Sequence, residues 1–257
     1  VGLLLLLRLI HGMGFGIAAT ASGTLAGAIV PSSRRGEGIG YYALSVTLSS
    51  AVGPFLSMFL YRLYGFNAVV LLSALLLFIA LIGIFFLRIQ ATPAAPSVSE
   101  GTTKKFAWSN YFEKQAVPIS FIAFLIGISY SSILSFMDAY AQNIHLSEAA
   151  SFFFLVYAIT VLVSRPVTGR IFDRFGDNAV MYPTYLFFAL GLLLIGFAQS
   201  GWMLLLAAVF VGLGYGSFSP FGQAIAIRSA EVHRLGVTTS TFFGLMDMGV
   251  GFGPFIL

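Results

Sequence analysis

The side chains that could do chemistry are few enough to weigh one by one. Nine acidic and thirteen basic residues share 257 positions with three histidines and no cysteine. Without cysteine, thiolate catalysis, disulfides and cysteine-ligated zinc or iron–sulfur centres are excluded. His11, His145 and His233 lie far apart with no metal-ligand spacing, so no metal or other cofactor is expected. No nucleophile–base pair stands out either, which argues against an enzyme. What stands out is an acid in the wrong solvent. Asp247 sits in "TFFGLMDMGVGFG", eleven helical steps after Gly236, hence about 16 Å deep at 1.5 Å per residue. An ionised carboxylate at a bilayer centre costs about 2.5 to 3.5 kcal/mol, so Asp247 must face a cavity, pair with a cation, or carry a proton. All three suit proton coupling or cation binding, and the plain alternative is a hydrogen-bonded packing carboxylate.

Two further charges invite the same question. Arg8, in "LLLLLRLIHGMG", falls near the outer end of its apolar run, where an arginine can snorkel to the interface. If Arg8 and Asp247 both face inward they can hold each other at neutral pH, and protonating the acid frees the arginine. Asp138 lies about twenty steps after Pro118, near the outer rim, where a solvated carboxylate needs no special role.

These residues are carried by elements made for lipid. Hydrophobic residues are 58% of the chain, charged residues 9%, and the mean hydropathy is +0.95, which marks an integral membrane protein. The length needed to cross a bilayer predicts eight spans, near 2–29, 38–61, 66–87, 118–142, 149–171, 179–199, 202–227 and 236–257. Eleven of the thirteen basic residues, from Arg34 and Arg35 through Arg88, Lys114, Arg165, Arg170 and Arg174 to Arg228 and Arg234, fall in or beside loops on one face. Only Arg62 lies opposite, with Arg8 in or near the first span. The basic face is therefore expected to be cytoplasmic, and the positive charge to serve topology, with no nucleic-acid partner. Between spans three and four, a Pro/Ala/Ser linker leads into a segment in which Phe106, Trp108, Tyr111 and Phe112 accompany Lys104, Lys105 and Lys114. That mixture suits a helix in the headgroup region. Residues 1–90 then form part of a first membrane bundle, 91–116 a linker, and 117–257 a second bundle.

Laid on itself with a shift of 200, segment 1–57 matches 201–257 at twelve positions. Gly12, Gly14 and Gly16 fall on Gly212, Gly214 and Gly216, Arg34 and Gly36 on Arg234 and Gly236, and Gly53-Pro54-Phe55 on Gly253-Pro254-Phe255. Parallel duplication of this kind builds one large class of secondary transporters, with the substrate site between the halves. A second half beginning near Val117 would have its partner begin roughly 84 residues before Val1, and the third span calls for a counterpart beyond Leu257. The parent is expected to have twelve spans, of which this chain carries the fourth to the eleventh. Both Gly-x-Gly-x-Gly copies read as close-packing helix surfaces, because a phosphate loop would need a preceding strand.

These motifs resemble the major facilitator superfamily, in particular its twelve-helix drug:proton antiporter branch. Arg8-Leu-Ile-His11-Gly12-Met-Gly14 looks like that branch's fourth-helix RxxQGxG motif, with His11 in place of Gln. Gly53-Pro54 looks like its fifth-helix antiporter motif, although Phe55-Leu56-Ser57-Met58 follows instead of the usual Gly-Gly pair. "GRIFDRFG" resembles the GxxxDRxG signature at Gly169, Asp173, Arg174 and Gly176, with Arg170 between and Asp177-Asn178 in place of the trailing basic pair. The resemblance implies an all-α membrane fold of two pseudo-symmetric bundles, eight transmembrane helices of a probable twelve.

It also implies a proton-coupled exporter of small organic molecules or drugs, working as a monomer by alternating access in a prokaryotic inner membrane. Arg8 and Asp247 would serve proton coupling, and His11, Tyr130, Ser131, Tyr215 and Gln223 would line the cavity. Gly169, Arg170, Asp173, Arg174 and Gly176, with Gly53-Pro54 and Gly253-Pro254, would form the conformational switch. In that switch the Asp173 loop docks on the start of the second span, where Gly36 to Gly38 open a helix whose dipole favours a carboxylate. An importer or facilitator of a sugar or metabolite, or a receptor that binds without translocating, fits the same fold.

Overall fold

A computed structural model of the protein describes residues 2–86, 111–231 and 234–257. The Pro/Ala/Ser linker and most of the expected interfacial segment, with Lys104, Lys105, Phe106 and Trp108, lie outside the described residues, as does the side chain of Pro54. Eight long helices and one 3-10 turn account for nearly everything else, and no strand occurs among the described residues. In chain order they are α1 (Gly2–Ile29), the turn Ser32–Arg34, α2 (Arg35–Tyr64), α3 (Phe66–Phe86), α4 (Val117–Asn143), α5 (Ser147–Phe175), α6 (Asp177–Gly196), α7 (Gly201–Ser229) and α8 (Leu235–Ile256). A helix satisfies every backbone group within itself, which is why an apolar chain bound for lipid takes this form. Six of the eight are long and apolar enough to cross a membrane. The other two, α2 and α8, have the length but are diluted by Arg35, Glu37 and many Ser and Gly residues in one, and by a threonine-rich start and Asp247 in the other.

Local chemistry sets the ends. Pro118 stands in the first turn of α4, where a missing N–H costs nothing. Ser200 caps α7 by accepting from the Met203 N–H at 3.4 Å. The end of α5 differs from expectation. The helix continues to Phe175 and stops at Gly176, whose φ of 85° suits glycine. Asp173 and Arg174, expected in a loop, therefore occupy the last helical turn. Arg174 there also complements the helix dipole.

Two compact units divide the chain: Leu48–Thr103, and Val1–Thr47 with Lys104–Leu257. The smaller holds the second part of α2 and α3, which turn at Gly65 with φ 77°. None of the described residues of α3 is buried, as expected of a helix whose solvent is lipid.

The larger unit centres on α7. It packs against α5 and α6, while α4 packs along α8. Missing side chains permit both contacts. A Cβ on Gly214 would stand 2.5 Å from the Phe188 nitrogen of α6, and one on Gly212 would stand 3.0 Å from Thr160 of α5. Across the α4–α8 contact, a Cβ on Gly127 would lie 2.6 Å from the Met246 oxygen, and one on Gly253 would overlap Ser131. The second Gly-x-Gly-x-Gly copy is thus a close-packing surface. The first is not so in this chain, since nothing lies within 4 Å of an added Cβ at Gly12, Gly14 or Gly16.

Candidate functional site

At one end of the larger unit, the end carrying most of the arginines, α5 meets α2 in a seam. Arg165, Gly169 and Asp173 recur every four residues on α5 and so share a face. They meet Gly40, Glu37 and Gly36 of α2. Asp173 accepts from the Gly36 N–H at 2.8 Å through Oδ1 and from the Glu37 N–H at 3.0 Å through Oδ2. These donors have no partner within a helix's first turn, and the positive end of its dipole lies there as well. Two glycines make the approach possible. A Cβ on Gly36 would run into Phe172 and stand 2.8 Å from Asp173 Oδ1, and one on Gly169 would stand 3.0 Å from the Glu37 Cα.

Arg165 corrects the sequence reading, which placed it at the loop face. It is 4% exposed, inside α5, ten residues before the helix ends. Its Nη2 donates to the Gly216 carbonyl at 2.5 Å. That carbonyl is free because the residue four positions on is Pro220, which has no N–H to return the helical bond. The guanidinium lies 6.0 Å from the Phe221 ring centroid, and its stem faces Gly40 across the seam. Nε and Nη1 are buried with no partner among the described residues.

A second contact tightens the same end. Gln223, expected in the cavity, is 1% exposed and donates from Nε2 to the Gly23 carbonyl of α1 at 3.2 Å. A Cβ on Gly27 would strike Ile227 one turn further on. Arg228 pairs with Asp177 and lies 5.5 Å from the Phe172 ring centroid, so the acid that replaces the usual basic residue ties α6 to α7. Glu113, buried before α4, pairs with Arg234 ahead of α8, and its N–H donates to the Thr241 hydroxyl at 3.0 Å.

Away from that end, the expected cavity residues separate. Tyr130 and Tyr215 come together, with rings stacked 3.5 Å apart between α4 and α7. Tyr157 of α5 lies 6.4 Å from Tyr130 between ring centroids, and Asp247 is within electrostatic reach of Tyr215. Asp247 occupies the middle of α8 with its side chain exposed. Ser131 is buried and donates to the Ile128 carbonyl at 2.6 Å, so it packs against Gly253 rather than opening to a cavity. Arg8 and His11 are exposed on α1, and no ion pair joins Arg8 to Asp247 among the described residues. Arg170 is exposed, Pro254 stands within α8, and Gly53 has nothing within 4 Å of an added Cβ. Asp138 is exposed and accepts from Gln142 at 2.8 Å. No cluster able to hold a metal occurs among the described residues.

Comparison with known proteins agrees with this architecture. The family model described as Major Facilitator Superfamily matches residues 1–256. The chain is 25% identical over 250 residues to the multi-drug resistance efflux pump PmrA of Streptococcus pneumoniae, covering 94% of this chain and 62% of that protein. It is 24% identical over 259 residues to the multidrug resistance protein MdtG of Enterobacter lignolyticus, covering 98% and 61% respectively. It is also 22% identical over 260 residues to an uncharacterized MFS-type transporter of Methanocaldococcus jannaschii, covering 97% and 67%. The chain thus spans less than two thirds of the length of both drug-resistance proteins.

Proposed function

The chain belongs to the Major Facilitator Superfamily of membrane transporters, and from that premise we propose that it is the core of a proton-coupled exporter of small organic molecules. The reading rests above all on Asp247. A carboxylate midway along its helix, exposed and within electrostatic reach of Tyr215, can take up and release a proton as its surroundings change. The names of the pneumococcal and enterobacterial relatives speak for drugs as substrates and for export as the direction.

In this reading the basic end faces the cytoplasm of a prokaryote and the protein acts as a monomer. Asp173 on the first turn of α2, together with Gln223 on α1, keeps that end closed while the opposite side is open. Protonation and release at Asp247 then bias the exchange between the two states, with Arg8 as its electrostatic counterpart once the Arg8 end of α1 approaches.

The test is proton exchange on reconstituted protein. Ethidium and a panel of neutral and charged organic solutes are added to proteoliposomes carrying an internal pH indicator. Proton movement with solute flux is expected, lost in Asp247→Asn and retained in Asp138→Asn. Flux without proton movement in the wild type identifies a facilitator, and binding without flux a receptor. Either result overturns the reading.

A further inference from the structure

Arg165 is held more deeply than its structural duty requires. One N–H bond to the Gly216 carbonyl repairs the gap left by Pro220, and a neutral donor could do that. Instead the site holds a permanent cation that is 4% exposed, with Nε and Nη1 unpartnered and no carboxylate paired to it among the described residues. The nearest acid on its own helix face, Asp173, is two turns away and committed to the N–H groups of α2. Phe221 lies beside the guanidinium, but that ring is stacked on Phe172 at 4.7 Å and leaves the cation's own charge uncompensated. A buried cation without a counter-ion is unfavourable, and membrane proteins retain one where a ligand or a conformational change supplies what is missing.

The position says when it is supplied. Arg165 lies one helical turn inward of the Gly169–Glu37 crossing, facing Gly40, so that it is the innermost of the three α5 residues that meet α2. Parting of the seam would uncover it to whatever enters from the basic end. We propose that Arg165 is an anion-recognition site for a carboxylate group on the transported molecule, available only when α5 and α2 separate at the basic end. The planar guanidinium, with Nε–H and Nη1–H free, matches an oxygen-bearing monoanion better than a neutral amide or an amine. The substrate class therefore includes amphiphiles carrying a carboxylate. This rests on the alternating-access reading above, but not on proton coupling or on drugs as the cargo.

The test measures binding of radiolabelled benzoate to the purified full chain, with benzamide and benzylamine as competitors. Benzoate is expected to compete at least tenfold better than either analogue. Arg165→Gln, which retains a donor for the Gly216 carbonyl, should weaken benzoate binding at least tenfold, and Arg165→Lys should retain an intermediate affinity. Asp173→Ala, by loosening the seam, should raise benzoate affinity by roughly the 30- to 150-fold shift in the closed-to-open ratio, a gain that a purely structural Arg165 would not produce. Monodisperse elution and unchanged melting of Arg165→Gln guard against misfolding. Equal benzoate binding in Arg165→Gln and wild type overturns the proposal, as does the absence of benzoate binding in both wild type and Asp173→Ala. If ethidium flux fails while Arg165-dependent benzoate binding persists, the exporter reading fails and this site stands.

Discussion

Removing the Asp173 carboxylate should open the basic end, and the size of the effect follows from the contact. Asp173 accepts two backbone hydrogen bonds, at 2.8 and 3.0 Å, from the first turn of α2. A hydrogen bond to a charged group contributes about 1.5 to 3 kcal/mol net, and a charge at a helix terminus about 0.3 to 2 kcal/mol. The two overlap here, and Asp173 is only half-buried, so about 2 to 3 kcal/mol in favour of the closed state is the right scale. Asp173→Ala should then shift the closed-to-open ratio by roughly 30- to 150-fold. Asp173→Asn, which retains one acceptor oxygen but no charge, should lose about 1 to 2 kcal/mol, or roughly 5- to 30-fold. Because the chain has no cysteine, nitroxides on Ser33→Cys and Asn178→Cys report the distance across this end without background. Gly36→Ala should act in the same direction, since its methyl would meet Phe172 and Asp173 Oδ1. The double variant should cost less than the two singles added, because both remove the same contact. Distance distributions unchanged in Asp173→Ala and Gly36→Ala would refute the assignment of this contact to closure.

Other contacts give sharper tests of packing. Gly27→Ala should favour the open basic end by about 1 to 3 kcal/mol through collision with Ile227, and Ile227→Ala in the same chain should recover most of it, read by the same nitroxide pair. Gly214→Ala should lower the melting temperature of the detergent-solubilised chain, because the Phe188 backbone has no room to move, by about 1 to 3 kcal/mol in stability. Gly236→Ala, with nothing within 4 Å, should leave that temperature unchanged or raise it slightly through better helix propensity. Arg234→Ala should destabilise the chain more than the combination Arg234→Ala with Glu113→Gln, since the single change removes the cation beside a buried carboxylate.

The helices were legible because a bilayer demands length and apolarity, and few other constraints leave so plain a trace. Their ends were less so. The apolar run of α5 fades near residue 171, yet the helix goes on to Phe175, because "GRIFDRF" can be both charged and helical where it packs against another helix. The docking of Asp173 was expected from the family resemblance, and the start of α2, where Gly36 and Gly38 flank Glu37, is a helix N-terminus whose dipole favours a carboxylate. Arg165 was missed for a definite reason. Counting basic residues by face assigns an arginine near a span's end to the surface, and only Pro220, four residues after Gly216, hinted that a carbonyl inside α7 needed a donor. Gln223 and Ser131 were placed on the right helices, but their contacts with Gly23 and Gly253 were not foreseen. Which side of a helix meets a partner depends on that partner, and a weak apolar stripe cannot say.

The repeat explains why the contact between α1 and α7 carries glycine on one copy of the duplication and side chains on the other. Gly23 and Gln223 are equivalent positions under the 200-residue shift, as are Gly27 and Ile227, and in each pair the two residues touch one another. Residues that contact their own counterparts lie beside the axis relating the copies, where two large side chains would claim the same volume. One copy must give up its side chain, so Gly27 leaves the room that Ile227 fills, and Gly23 exposes the carbonyl that Gln223 binds. Away from the axis the constraint lapses. Gly36 and Gly236 are both glycine, but Gly36 is closed over by Phe172 and Asp173, whereas Gly236 has nothing within 4 Å. A repeat detected in sequence therefore locates the seam best at the positions where its two copies disagree, because there the fold has divided one space between two residues.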